Sequence, residues 1–363
     1  SVPASYYRGG TSKGLIFRAE VLPSAAAARD ALLLRALGSP DLEHGRQLDG
    51  MGGGTSSTSK VMIVRAEDGV IKYSFGQVSV KEPKVEWGGN CGNLSAAVAA
   101  FALDEHLSRE ECGGAGEREL RMLNENTSKT IVARIHADEE GRHLTTGDCA
   151  IAGVAGTSSP ISLAFQNPAG ALTGNLLPAR GEPVTALAVD GVGTVEATLC
   201  DATTAVVLVR AADIGVSLKE PPRALAANTR ALETLEAIRR AGAAAMGLDP
   251  SVASVPKVGL IEPGTGGDHI RVQMLSMGQP HLSVPLTAAM AITVAARVPG
   301  TLAAAAAGAA AAAAGEDVST AVQLAHPSGS LTLAADIDAQ GSVVRSVTVL
   351  RTARRLFKGQ VFC

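Results

Sequence analysis

The segment NLSAAVAAFALDEHL, residues 93 to 107, constrains the fold more than any other stretch of the chain. Wound as an α-helix it places alanine, valine, leucine or phenylalanine on nearly every side, so for most of its length it has no face to give to water. Such a helix has to be enclosed. LTAAMAITVAARV, residues 286 to 298, has the same property, and each segment is approached through a turn of glycine and polar residues, GGNCGN (88 to 93) and SMGQPHLSVP (276 to 285). Around them lie short β-branched runs, GLIF, KVMIV, VIKYSFGQVSV and KTIVARIHA in the first half, TTAVVLVRAADIG, KVGLIEP and HIRVQMLSM in the second. Their length and composition predict strands. Strands wrapped about one buried helix, occurring twice, read as a pseudo-repeat. The expected fold class is α/β (α+β), with two pseudo-symmetric domains, each a curved sheet or barrel around a central helix.

A chain of 363 residues is long for one core, which agrees with two domains. Proline, glycine and charge gather at LLPARGEP (176 to 183), so the expected division is 1–180 and 181–350, with 351–363 as a tail that could return to the N-terminal domain. Two further helices are expected. SAAAARDALLLRALG starts at a Ser24 cap and stops at Gly38, and ALETLEAIRRAGAAAMG reads as an exposed helix.

Charge excludes several partners. The 32 basic and 35 acidic residues are interspersed and no basic block appears, which argues against nucleic acid. The longest weakly apolar region is mostly alanine and is broken by Arg297, Pro299 and glycines, which argues against a membrane span. The start, SVPASYYRGG, lacks signal-peptide architecture, so a cytoplasmic location is expected. The five cysteines, Cys91, Cys112, Cys149, Cys200 and Cys363, are scattered, with no CxxC pair and no histidine at a ligand spacing. They read as free thiols in a reducing compartment, with no metal site. A homodimer is one assembly open to the chain.

Four stretches concentrate hydroxyls, glycine and a cation: YRGGTSKGLIF (7 to 17), DGMGGGTSSTSKVMIV (49 to 64), GGNCGNLS (88 to 95) and AHPSGSL (325 to 331). None is a nucleotide loop. No glycine directly precedes the lysine of GGTSKG or GGGTSSTSK, and GMGGGT follows no strand. What these loops offer is backbone N–H groups and hydroxyls, which suit carboxylates, especially at a helix N-terminus. Thr11, Ser12 and Lys13 in the first loop, Gly53, Thr55, Ser56 and Ser57 in the second, and Asn90, Gly92 and Asn93 in the third are the expected lining. Cys91 stands at the mouth of the buried helix, whose partial positive charge favours a thiolate. Set among glycines and asparagines, it has little apolar packing to supply. Lys60 follows a run of glycine, serine and threonine and starts a strand. An amine there, partly desolvated and with Lys13 nearby to lower its basicity, can act as a general base. In the second half Lys257 and Arg271 are candidate carboxylate partners, and His281, Ser283, His326, Ser328 and Gly329 fall in polar turns.

With RGGTSKG, DGMGGGTSSTSKV, FGQVSV, GGNCGNLSAAV, NPAG, TGNLLP, SMGQPHLSVPLTAA, PGTL and HPSG in this order, the chain resembles the PrpF protein family over essentially its whole length. The resemblance implies a diaminopimelate epimerase-like fold with the active site in the cleft between two similar domains. It also implies isomerisation of an unsaturated di- or tricarboxylate such as aconitate or 2-methylaconitate, without metal, pyridoxal phosphate or nucleotide. It assigns Lys60 as the base, Cys91 as the counterpart of an epimerase acid/base, and Ser12 with Lys13 as a substrate-facing loop. The chain departs from the family pattern at QPHLSVP, where Leu282 and Pro285 replace an expected histidine and a less broken approach. Two rival readings are an amino-acid racemase or epimerase of the same fold, which would want paired thiols where this chain has Ser283, and a non-catalytic carboxylate-binding accessory protein.

Overall fold

The β-branched runs form strands, and both apolar segments form helices with no exposed side. A computed structural model describes residues 1–107, 114–314, 321–338 and 340–363. Cys112 lies outside the described residues. The chain divides into two compact units, one of residues 1–164 with 350–363 and the other of residues 165–349.

The first unit begins with the hairpin β1 (Val2–Gly9) and β2 (Ser12–Arg18), followed by α1 (Ala26–Leu37) and β3 (Lys60–Glu67). Next come β4 (Val70–Val78), the short β5 (Val85–Glu86), α2 (Gly92–Asp104), β6 (Gly116–Asn124) and β7 (Lys129–Ala137). The pairings run antiparallel β1 to β2, parallel β2 to β3, antiparallel β3 to β4, parallel β4 to β6 and antiparallel β6 to β7. A strand β8 (Ile161–Gln166) then carries the chain across the division.

The second unit repeats this order. Its strands are β9 (Thr185–Val189), β10 (Gly193–Ala202) and β11 (Thr204–Arg210), then β12 (Lys257–Pro263), β13 (Ile270–Ser276) and β14 (Gln279–Pro280), and finally β15 (Ala321–His326), β16 (Gly329–Ile337) and most of β17 (Val344–Arg351), whose last two residues belong to the first unit. The run from β10 is again antiparallel to β11, parallel to β12, antiparallel to β13, parallel to β15 and antiparallel to β16. Helices α3 (Pro222–Ala227) and α4 (Thr229–Ala245) occupy the first parallel crossover, and α5 (Leu286–Ala295) with α6 (Leu302–Ala314) the second. The last strand, β18 (Ala353–Val361), pairs with β1 and so belongs to the first unit.

The division falls at 164/165, earlier than the expected 180. Residues 165–180 are tied into the second unit by polar and apolar contacts. The buried Asp201 carboxylate accepts from the N–H groups of Leu172 (2.8 Å) and Thr173 (2.7 Å), and Ala179 joins the core that includes Leu199, Val207 and Leu235. Three other details differ from expectation. The cap of α1 is Ala25, not Ser24, and makes no side-chain cap bond, while Gly38 at φ 70° ends the helix as expected. Helix α4 is capped by the Asn228 side chain and is not exposed all round, because Leu235 and Ile238 are buried in the unit's core and a Cβ on Gly242 would lie 2.4 Å from Val207. The alanine run 302–314 is a separate helix with one buried side, which its uniform composition hid.

Every residue of α2 from Gly92 to Leu103 is buried, and so is all of α5. Small side chains are what make this enclosure feasible, since larger ones would hold the strands away. A Cβ on Gly9 would lie 2.5 Å from the Asn93 carbonyl and 3.0 Å from the Ala97 Cβ, so β1 lies directly on α2. No helix among the described residues is long and apolar enough to cross a membrane. Replacing Ala97 by leucine is expected to cost about 1–3 kcal/mol by overpacking against β1. Ala309→Leu, on the exposed side of α6, should stay within about 0.5 kcal/mol. Denaturation midpoints of the two variants check this.

Candidate functional site

The parallel register that pairs Gly14 with Lys60 and the antiparallel register that pairs Lys60 with Gln77 put these residues on one face of the sheet, with Ser12 two places before Gly14. Side chains alternate along a strand, so Lys13 points the other way and is exposed. The inward face carries Ser12, Lys60 and Gln77, all buried. Cys91 closes this end, because it is the N-cap of α2, and its Sγ lies 3.8 Å from the Ser12 Oγ.

Lys60 is buried and its hydrogen-bond partner is uncharged. Its Nζ donates to the Gln77 Oε1 at 2.5 Å and lies 5.1 Å from the Phe75 ring centroid. The Gln77 amide is oriented by its other end, since Nε2 donates to the carbonyls of Ser59 (3.0 Å) and Ser56 (3.2 Å). Ser59 is in turn held by its hydroxyl on the Gln47 Oε1 (2.5 Å). Burial pushes the Lys60 amine below the ordinary lysine range, and the charge of Cys91 opposes that shift in part. Lys13 is not a cause. The expectation that Lys13 lowers the basicity of Lys60 is corrected by its exposed position on the opposite side of β2.

The turn before α2 is held from below by amides and a phenol. The Tyr73 hydroxyl donates to the Asn90 Oδ1 (3.2 Å) and pairs with the Ser95 Oγ (2.8 Å). Asn124 Nδ2 reaches the same Asn90 oxygen at 3.4 Å, and Asn126 Nδ2 donates to the carbonyls of Phe75 (2.9 Å) and Trp87 (2.6 Å). The first bond of α2 runs from the Ser95 N–H to the Cys91 carbonyl (3.0 Å), so the preceding N–H groups stand outside the helix ladder, as at any helix start. Asn93 Nδ2 donates to the Thr11 Oγ1 (3.2 Å), which ties this turn to the β1–β2 hairpin. Gly10 is required there. It sits at φ 50°, and a Cβ would fall 2.1 Å from the Asn93 Oδ1.

In the second loop the Thr55 hydroxyl meets those of Ser57 (3.0 Å) and Thr58 (2.8 Å), Ser56 offers its carbonyl to Gln77, and the Ser57 carbonyl accepts the Lys13 N–H (2.9 Å). Gly53 packs on Thr58, whose Oγ1 would lie 2.5 Å from an added Cβ.

The second unit gathers its own group. The Ser283 N–H donates to the His281 Nδ1 (3.0 Å), the Ser283 Oγ lies 3.4 Å from the His326 Nδ1, and the Ser328 N–H donates to that same nitrogen (3.2 Å). Gly329 pairs with His326 in the β15–β16 hairpin. Arg271 shares with His326 and Gly329 the lining of a cavity of about 760 Å3, and it faces Glu262 at 3.6 Å. Lys257 starts β12, whereas Arg271 pairs with Glu262 near its other end, so these two cations do not converge. Ser283 stands two residues before the α5 cap, Pro285, whereas Cys91 is itself the cap of α2. No group of three or more metal-ligating side chains occurs among the described residues.

Sequence reasoning missed Gln77, Gln47, Tyr73, Asn124 and Asn126. Gln77 had a signal, a polar residue inside the apolar strand VIKYSFGQV, and Asn124 and Asn126 fall in the all-polar run NENTS.

A family model described as PrpF protein matches residues 1–363. The chain belongs to the PrpF family. It is 38% identical to a 2-methyl-aconitate isomerase of Cupriavidus necator, covering 99% of this chain and 96% of that one. It is 36% identical to a (4E)-oxalomesaconate Delta-isomerase of Novosphingobium sp. (strain KA1), covering 100% and 97%. The crystal structure of a methylitaconate-delta-isomerase superposes with a TM-score of 0.74 at 28% identity, over 99% of this chain and 94% of that one. A probable proline racemase from Agrobacterium radiobacter K84, at a TM-score of 0.57 and 12% identity, shares the fold alone. This PrpF chain is therefore an isomerase on the diaminopimelate epimerase-like α/β fold.

The neutral partner of Lys60 generates a direct test. A carboxylate in place of the Gln77 amide would stabilise the ammonium, so Gln77→Glu is expected to raise the Lys60 pKa by about 1–3 pH units over the wild-type value. The 13Cε shift of Lys60 followed against pH measures both proteins, and the wild type should titrate below the ordinary lysine range.

Proposed function

We propose that this chain isomerises an unsaturated di- or tricarboxylate of the aconitate kind by moving one carbon-bound proton, with Lys60 as the base and no cofactor. The observation that carries the reading is the enclosed Lys60 amine facing a neutral amide oxygen. Without a carboxylate to hold its proton, a desolvated lysine gives that proton up more readily than an exposed one, which suits it to act as a base. The names of the relatives support an unsaturated, carboxylate-bearing substrate.

In the proposed reaction the Lys60 amine takes a proton from the carbon γ to a carboxylate across the double bond. The C–H electron pair spreads through the former double bond into that carboxylate, giving a dienolate and a Lys60 ammonium. The former double bond now rotates like a single bond. Return of the proton to the same carbon after rotation gives cis–trans exchange, and delivery to the other end of the dienolate gives a shifted double bond. The N–H groups at the start of α2 and the Ser12 hydroxyl supply donors for the anionic intermediate, a role worth about 2.7–4 kcal/mol of barrier per donor. Cys91, beside Ser12, is the second proton-handling group. The racemase reading is weaker, because a thiol pair would need a cysteine where the α5 approach has Ser283. Cys200 is fully buried, and burial pushes its thiol up.

Lys60→Ala is expected to lower turnover of 2-methylaconitate or aconitate by about 100- to 10,000-fold, with no rescue by Lys60→Arg, whose guanidinium keeps its proton at neutral pH. Exchange of the substrate's carbon-bound hydrogen with deuterated water, followed by NMR, decides the role. Wild-type exchange in Lys60→Ala would make Lys60 a carboxylate anchor only. Cys91→Ser should keep substrate affinity and lose rate, and an unchanged kcat would reduce Cys91 to packing.

A further inference from the structure

Two arginines are buried among the described residues, and they are treated in opposite ways. Arg239 is held by both oxygens of Glu236 at 2.7 Å and donates to the carbonyls of Val252 and Pro250. Arg351 is 6% exposed and has no carboxylate within ion-pair distance among the described residues. Its Nε donates to the Asn93 Oδ1 (3.0 Å) and its Nη1 to the carbonyl of the adjacent Leu350 (2.8 Å). Burial lowers its pKa to about 10. The one titratable group that acts on it favourably is the Cys149 thiol, which burial and Asp148 push up, so that thiol is neutral near pH 7 and supplies no counter-charge.

An enclosed cation without an anion is costly, and such a charge is normally paired or hydrogen-bonded throughout. Arg351 also stands at a particular place. Asn93, which it contacts, is in the first turn of α2, next to Gly92 and Cys91, and donates to Thr11 beside Ser12. The Asn93 amide is thereby oriented at both ends, with its oxygen on Arg351 and its nitrogen on Thr11. Arg8, on the same hairpin, also lacks a carboxylate and donates to the Gly10 carbonyl (3.2 Å) and to Thr352. Its burial too disfavours the charge. Arg8 pairs with Lys13 across the hairpin and so lies on the face of β1 turned away from Ser12 and Lys60, which leaves Arg351 as the buried cation set directly against the first turn of α2 without a carboxylate among the described residues.

We propose that Arg351 is an anion-binding residue that receives a carboxylate of the substrate remote from the reacting carbon, so that the substrate completes an ion pair the protein leaves open. This rests on the proposed carboxylate substrate and assigns the group that counts its carboxylates. A planar guanidinium meets a carboxylate through two parallel bonds, which suits it to this task better than a lysine.

Tricarballylate, a saturated tricarboxylate with no double bond to move, separates binding from turnover. Titration calorimetry should show wild-type protein binding it, with affinity reduced about ten- to a hundredfold in Arg351→Gln, the size expected for lost charge-assisted bonds. Arg351→Lys, which keeps the charge, should fall between and serves as the test where Arg351→Gln does not fold. Lys60→Ala should still bind. Equal affinity of wild type and either folded Arg351 variant would overturn the proposal while leaving the isomerase reading intact. Failure of the wild type to bind any di- or tricarboxylate would remove both. Loss of inorganic phosphate binding in Arg351→Gln with tricarballylate binding unchanged would assign the residue to a free anion and overturn its role toward substrate.

Discussion

Enclosing a helix on all sides is the constraint from which the site follows. Because α2 has no exposed flank, its polar backbone can meet a ligand only at its ends, and its N-terminal end is where Cys91, Ser12 and Lys60 converge. The strands must come close to seal it, so at the points of closest approach the facing residue is glycine. Gly9, Gly10 and Gly14 would each collide with α2 or with β3 if they carried a Cβ. Small residues chosen for packing therefore leave backbone and short polar groups exposed at the helix mouth. The donors that the proposed reaction uses at this turn are a by-product of sealing the helix as much as a property of its own side chains.

The same enclosure sets the electrostatics. Surface arginines of this chain, such as Arg18, Arg134 and Arg345, contact acids in solvent-exposed ion pairs, where pairing contributes little. Lys60 and Arg351 are inside and lack acids, which is the costly arrangement. For Lys60 the burial makes the proton easier to give up, an option open to an amine. A guanidinium cannot do so near neutral pH, so Arg351 keeps its charge and retains its attraction for an anion. The proposed roles of the two cations, base and counter-ion, thus rest on the difference in their ordinary pKa values.

Much of this was legible in the residues. The two enclosed helices follow from apolar composition on every side, the strands from β-branched runs, and Lys60, Cys91 and Ser12 from polar loops set against apolar elements. The partner of Lys60 was not legible, because it depends on which residue of β4 lies opposite position 60, and a register is a property of two strands rather than of one. Lys13 was misplaced for the related reason that one step along a strand reverses the face. The expected boundary near 180 differs from the division at 164/165 because a loop rich in proline and glycine looks like a linker whether or not its backbone is bound, and here Asp201 binds it. Arg351 carried no local signal at all, since LRTAR reads as an ordinary charged strand end.

The repeat of the fold makes the differences between its halves informative. Both units run through the same sequence of antiparallel and parallel pairings, with the enclosed helix in the same crossover. Matching positions therefore had the same geometric opportunity to carry acid–base chemistry. At α2 the cap is a cysteine, buried with its Sγ 3.8 Å from the Ser12 hydroxyl. At α5 the cap is Pro285, which has no side-chain proton to give, and the nearest hydroxyl, Ser283, is set back two residues beside His326. A serine hydroxyl is far too weak an acid to exchange protons with carbon at neutral pH unaided. The second unit thus gathers imidazole and hydroxyl groups where the first brings an amine and a thiol together. That asymmetry supports the proposed single-proton isomerisation over a symmetric two-thiol racemisation.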